Sequence, residues 1–158
     1  MLHSKKIDLK NRNFIVIFMM FITMLLNSCA LKPILPTKNY SPIENVSIEN
    51  LGNGKILFYN YGYYCPTMTC GYTTKMNVKA NEISLGQINY GEYFIVELDY
   101  GEYVFETVYK DVLKIKRTHK VTIDKDTKVI KLSINAFNEK LKVTNSLPAG
   151  INQLYQLQ

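Results

Sequence analysis

Turn-forming residues recur about every ten residues from Gly54 onward, and this spacing constrains the fold of the chain more than any other feature. Glycine, Asp-Lys-Asp and Asn-Glu signals separate short runs rich in β-branched and aromatic residues. No stretch after Cys29 shows the long 3.6-residue apolar period of an amphipathic helix. The pattern therefore predicts an all-β sandwich or barrel of about seven to nine short strands. The strands are expected at residues 56–61, 74–78, 83–88, 93–98, 103–108, 113–115, 119–123, 129–134 and 141–144.

The first 28 residues combine a basic start with a short apolar run. Four basic residues precede an uncharged run of 13 residues at 14–26. As a helix this run would be about 20 Å long, which is short of the ~30 Å hydrocarbon core of a bilayer. Leu26-Asn27-Ser28-Cys29 then resembles the bacterial lipobox, in which a small residue precedes the cut and a cysteine thiol receives lipid.

This resemblance implies cleavage between Ser28 and Cys29 and acylation of Cys29 by three chains. Three chains anchor a protein stably where one is marginal, because each buried methylene contributes about 0.8 kcal/mol. The alternatives are an ordinary secretory signal or an uncleaved anchor. Ala30 rather than Asp follows Cys29, and the corresponding sorting rule places the protein in the bacterial envelope, in the outer membrane and facing the periplasm.

Removal of the signal peptide also changes the charge balance. Residues 1–28 hold four of the 19 Lys and Arg and one of the 13 Asp and Glu, so cleavage lowers the formal net charge from +6 to +3. The strongly basic character of the precursor thus belongs partly to the discarded segment. Nucleic acid is not an expected partner.

The segment after the cut, residues 29–50, is predicted to be a lipidated cysteine followed by a spacer. Pro33, Pro36 and Pro42 interrupt a stretch without helical periodicity. An extended chain of this kind could span up to roughly 60 Å and lift the domain off the lipid surface. The alternative is an extended segment that docks a partner. The β domain is expected at 51–147, and 148–158 is expected to be a short helix or a frayed tail.

The β region opens with an apolar strand at residues 54–59, continues with a hairpin at 78–88 and has a Tyr-Gly-Glu-Tyr turn twice, within 89–94 and 99–105. In these features it resembles an uncharacterised family of small bacterial lipoproteins whose domain is a prealbumin-like, or transthyretin-like, β-sandwich. The resemblance implies an antiparallel, immunoglobulin-like sandwich in an envelope lipoprotein, and it implies no catalytic residues.

The two remaining cysteines, Cys65 and Cys70, are four residues apart in a tyrosine-rich stretch. Outside the cytoplasm such a pair usually forms a disulfide, which would here contribute roughly 2–3 kcal/mol. A metal site, a redox pair and free thiols are the alternatives. No His lies near in sequence to complete a metal site, and redox pairs usually have two intervening residues. No metal and no cofactor other than the covalent lipid is expected.

Two groups of residues are candidates for a binding surface. Tyrosines around the Cys65–Cys70 loop could form a contact surface, since tyrosine is enriched at interfaces; otherwise they pack on the core. Lys114 and Lys116 alternate with apolar residues and are expected to share an outward basic face, which could bind a ligand. The alternative is a solvated strand face whose charges only discourage edge-to-edge pairing of sheets. The tyrosine candidates are Tyr61, Tyr63, Tyr64 and Tyr72.

The predicted function is that of a non-enzymatic, membrane-anchored lipoprotein, a structural or interaction module of the envelope. Its partners would be the membrane, through the lipid, and an envelope protein or glycopolymer. One alternative is a module that binds anionic lipid or glycan headgroups through the basic face. The other is an envelope hydrolase with a site around His119, although no nucleophile motif such as G-x-S-x-G is present.

Overall fold

The computed structural model describes residues 15–20, 31–61, 75–110, 114–133 and 140–158. The chain divides into two compact units, Met1–Ala30 and Leu31–Gln158. In the first unit, residues 15–20 are helical and their apolar side chains are exposed. Among the described residues, no helix combines the length and apolarity that a bilayer crossing requires.

The described part of the second unit contains nine strands and two short 3-10 turns, Ile48–Asn50 and Ile151–Gln153. The strands predicted at 113–115 and 119–123 form one continuous strand. The expected tail, 148–158, contains a 3-10 turn and a ninth strand. The strands are β1 (Lys55–Asn60), β2 (Met76–Ala80), β3 (Ile83–Ile88), β4 (Glu92–Glu97), β5 (Gly101–Lys110), β6 (Lys114–Ile123), β7 (Val129–Ser133), β8 (Lys140–Val143) and β9 (Tyr155–Gln156).

The strands form two sheets. Sheet A has the order β8-β7-β1-β4-β9 and sheet B the order β3-β2-β5-β6. Sheet B is antiparallel throughout. Sheet A is mixed, because β7 pairs parallel with β1 and β9 pairs parallel with β4. The predicted all-β sandwich is confirmed, while the expectation of a purely antiparallel arrangement is not met in sheet A.

The main core lies between the sheets. The ring of Phe58 in β1 stacks on Phe94 in β4 at 5.1 Å and meets Phe105 of sheet B at 5.6 Å. All three side chains are fully buried. Alternating residues of β2 and β5 complete this core from sheet B, as the period of two in a half-buried strand requires.

A second apolar cluster covers the outer face of sheet A. Leu57 and Tyr59 of β1 and Ile95 of β4 point into it, and chain segments from both ends of the unit pack over them. Because β1 and β4 are thus buried on both faces, their sequences are almost continuously apolar rather than alternating. The covering residues are Ile43, Val46, Ile48, Leu51, Leu147, Ile151 and Leu154.

The segment predicted to be a spacer is packed against the sandwich, and we call residues 32–50 the strap. The Asn77 side-chain amide donates to the Lys32 carbonyl (2.8 Å) on the outer side of sheet B. The Thr37 amide then donates to Ser84 on edge strand β3 (2.9 Å), and the Ser41 amide donates to Ile95 of β4 (2.8 Å). The strap therefore closes two open sheet edges instead of lifting the domain away.

Tyr40 holds the strap in the seam between the sheets. Its ring stacks on Phe94 at 5.0 Å, and its hydroxyl donates to the Leu85 carbonyl at 2.7 Å. Gly86, with φ of +103°, leaves room for this hydroxyl, which a Cβ at that position would strike. Burial, together with the nearby Glu92 carboxylate, raises the pKa of Tyr40 to about 12.

The C-terminal tail completes the same edge. The Tyr155 amide donates to Gly91 (2.9 Å) and the Leu157 amide to Tyr93 (2.8 Å). The Gln156 side chain also donates to the Ser41 carbonyl (3.1 Å), so the tail meets the strap. The compact unit spans Leu31–Gln158 and so includes both segments that flank the sandwich.

Candidate interaction surfaces

Tyr61, Lys114 and Lys116 are the predicted site residues that the structure describes. The lipidation and cleavage residues, the cysteine pair and the other tyrosines lie outside the described residues, so those expectations stay predictions. These residues are Ser28, Cys29, Tyr63, Tyr64, Cys65, Cys70 and Tyr72.

One end of the sandwich, which we call the loop end, is defined by the ends of β1, β3 and β5 and the starts of β2, β4 and β6. Asn60 pairs with Glu92 there, and Met76 pairs with both Ile88 and Tyr109. The strand ends on either side of residues 62–74, the tyrosine- and cysteine-bearing segment, therefore lie at this end. Strand β6 also begins there, with Lys114.

Tyr61 lies at the loop end against Tyr90, with the two ring centres 5.5 Å apart. Tyr61 is half-buried and also touches the second apolar cluster, whereas Tyr90 is 44% exposed. Tyr59, which precedes them in β1, is only 5% exposed and belongs to that cluster. The tyrosines at this end thus both cover the core and present rings to solvent.

The outer face of sheet B carries the lysines that sequence alternation placed outward. Lys114 and Lys116 are exposed on β6, and Lys120 of the same strand shares their parity and exposure. Lys116 forms an ion pair with Glu106 on β5 (2.5 Å). We call Lys79, Lys114, Lys116 and Lys120 the basic face; Glu102 and Glu106 are the carboxylates interspersed on it.

Lys120 was missed as a site candidate because β6 was predicted as two strands. Lys114, Lys116 and Lys120 differ by even numbers of residues, so in one continuous strand they must share a face. The polar stretch between the two predicted strands contains Arg117 and Thr118, both exposed. It has no apolar residue that would indicate that the two strands are one.

A cleft of about 510 Å³ opens at the opposite end of the sandwich. Its lining mixes charges, since Lys55 lies 3.9 Å from the Glu97 carboxylate and the Lys38 ammonium donates to the Glu97 carbonyl at 2.9 Å. Glu49 and Asp99 add further negative charge. The cleft therefore has two lysines against three carboxylates, whereas lysines outnumber carboxylates on the basic face.

His119 lies on the inner side of β6, paired with Phe105. Its Nε2 is buried and, within the described residues, accepts or donates no hydrogen bond; the same holds for Thr107 Oγ1 on β5. Burial, reinforced by the charge of Arg117, lowers the pKa of His119 below its ordinary value of 6.5. The hydrolase alternative around His119 stays a prediction, since a Ser-His-Asp site is recognised by a nucleophile hydrogen-bonded to such a nitrogen.

We expect His119 to make stability depend on pH near neutrality. Its folded pKa lies below the unfolded value, so the unfolded chain takes up the proton first as the pH falls. The stabilising contribution is thus present above pH 6.5 and is lost as the pH falls toward the folded pKa. Urea unfolding of the wild type should show this loss, and His119→Gln should flatten it. An equal pH slope in both proteins would contradict the assignment.

The described residues contain no group of three His, Cys, Asp or Glu side chains placed to hold a metal ion. Comparison with protein-family models, with curated proteins and with solved structures finds no match for this chain. The resemblance to prealbumin-like lipoproteins accordingly stays a prediction, and function has to be argued from the residues themselves.

Proposed function

We propose that this chain is a non-enzymatic bacterial lipoprotein, held in the envelope by lipid on Cys29 and acting there as a structural or interaction module. The observation that carries the proposal is the order of the first 29 residues: basic residues, a short apolar run, a small residue and a cysteine. The position of the compact unit supports it, because that unit begins at Leu31, two residues after Cys29.

The sandwich serves this function as a rigid platform. Its outer face on sheet A is filled by the chain's own residues, which leaves the loop end and the basic face for contact. We assign the finer fold to the prealbumin-like type and a disulfide to Cys65 and Cys70. Such a disulfide would restrain the tyrosine-rich segment that leaves β1 at the loop end. Outer-membrane location facing the periplasm follows from Ala30 at the position after Cys29.

A second candidate function is recognition of anionic headgroups, either lipid or glycan. The exposed lysines of β6 favour it. Binding of this kind would weaken with salt, because exposed charges are screened beyond about 10 Å at ordinary ionic strength. Neutralisation of Lys114 and Lys116 to Gln would abolish it.

The intact mass of the protein extracted from membranes tests the proposed function. We expect the mass of residues 29–158 plus acyl groups, and two hydrogens fewer without reductant than with it. Cys29→Ser should lose the acyl mass and leave the membrane fraction completely. Cys65→Ser is the matched control and should keep the acyl mass while losing the response to reductant. An unprocessed or unacylated wild-type mass would overturn the lipoprotein assignment.

A further inference from the structure

The strap begins at Lys32 on one particular face of the sandwich, the outer face of sheet B. Cys29 is three residues before Lys32, so their Cα atoms are at most about 11 Å apart. The Lys32 carbonyl accepts a hydrogen bond from Asn77 (2.8 Å), and Asn77 in turn accepts one from Gln87 (2.7 Å). Both side chains stand on the outer face of sheet B, where Asn77 pairs with Val108.

The basic face begins at this attachment point. Asn77, Val108 and Lys116 lie side by side on three neighbouring strands, and strands are about 4.8 Å apart. Lys116 is therefore roughly 10 Å from Asn77, a distance comparable to the screening length of about 8–10 Å. Lys79 lies two residues along β2 from Asn77.

From this placement we infer that the outer face of sheet B lies on the membrane, and that its lysines contact the anionic phospholipid headgroups of the leaflet that holds the acyl chains. The inference rests on the proposed acylation of Cys29 and adds to it the orientation and the lipid class. In this arrangement residues 32–50 do not act as a spacer. They keep the sandwich at the membrane surface, because the hydrogen bonds of Thr37 and Ser41 hold the strap to the sheet edges.

The chemistry of this side of the molecule suits an anionic bilayer surface. Five lysines stand there against two carboxylates, and one of those carboxylates is neutralised in the ion pair between Glu106 and Lys116. Lysines near such a surface are attracted to its negative potential. Leu35 of the strap is 83% exposed and Val104 of β5 is 43% exposed, and apolar side chains of this kind favour the headgroup boundary. The lysines are Lys32, Lys79, Lys114, Lys116 and Lys120.

The test is the rate at which individual lysines of the acylated protein react with an amine-directed acetylating reagent, read by peptide mass spectrometry. The protein is compared in detergent, in phosphatidylcholine vesicles and in vesicles of phosphatidylethanolamine with phosphatidylglycerol. We expect the basic face to react severalfold more slowly in the phosphatidylglycerol vesicles alone. Lys125 and Lys142, which are exposed elsewhere on the unit, should react equally in all three.

A charge-reversal pair provides the matched control. Lys114→Glu with Lys120→Glu should abolish the protection of Lys79 and Lys116, whereas Lys125→Glu with Lys142→Glu should preserve it. Equal unfolding midpoints of the two double variants establish that both are folded.

The outcomes separate the two proposals. An acylated protein without protection of the basic face would overturn this inference alone. A protein without acyl mass would overturn the proposed function and, with it, the inference. Protection in whole envelopes but in neither kind of vesicle would assign the face to a glycan or protein ligand and overturn the lipid assignment.

Discussion

Replacement of Tyr40 by alanine is expected to lower the free energy of unfolding by about 2–4 kcal/mol, although the residue lies in a segment that reads as a linker. The substitution removes a ring that stacks on Phe94 and a hydroxyl that donates to Leu85. It also opens a void above Gly86. Urea unfolding of the mature protein, followed by tyrosine fluorescence and circular dichroism, measures the change.

Tyr100→Ala is the control for this prediction. Tyr100 is 59% exposed and its hydroxyl makes one long hydrogen bond, 3.4 Å, to Asn53. The Tyr100→Ala substitution should lower the free energy of unfolding by less than about 0.5 kcal/mol, as surface substitutions usually do. If the two alanine variants were equally stable, the strap would not be docked in solution, and the spacer interpretation of residues 29–50 would be restored.

Gly54→Ala is expected to destabilise the fold by about 3–4 kcal/mol, through two separate effects. Gly54 has φ of +86°, where an L side chain is strained, and a Cβ there would lie 2.6 Å from the backbone carbonyl oxygen of Leu98. Neither backbone can move freely, because the Leu98 amide donates to the Gly54 carbonyl at 2.9 Å. The same urea experiment measures the loss.

Gly91→Ala separates the two effects. Gly91 has nearly the same φ, +81°, yet a Cβ there would meet nothing within 4 Å. Gly91→Ala should therefore lower the free energy of unfolding only by the strain of an L residue at positive φ, about 1–2 kcal/mol. Equal losses at the two positions would mean that the backbone around Leu98 gives way, and the close approach would then contribute nothing measurable.

Local turn chemistry explains why most strands could be predicted. The turn at Gly91 separates β3 from β4, and a bend at Tyr100 precedes β5, which begins at Gly101, so these three strands lie nearly where the glycines predict them. The register of β9 could not be read from sequence, since Tyr155–Gln156 forms a strand only because the edge of β4 is available to it. The position of the strap likewise depends on contacts with residues far away in sequence, so no local pattern predicts it.

The basic face could be predicted only in part, as with the strands. Alternation with Ile115 placed Lys114 and Lys116 outward, and both are exposed. Lys32 and Lys79 carried no such signal, because their association depends on the hydrogen bond between Asn77 and the Lys32 carbonyl, across 45 residues of sequence. Contacts of this range follow from tertiary packing and have no local pattern.

The strap and β9 both form hydrogen bonds with β4, and this arrangement affects the order in which the unit can fold. Ser41 and Gln156, which join the strap to the tail, are 115 residues apart in sequence, and such long-range contacts form slowly. The hydrogen bond between Gln156 and Ser41 can form only when the strap and β9 both lie against β4, so we expect β9 to be among the last parts of this unit to become ordered during folding.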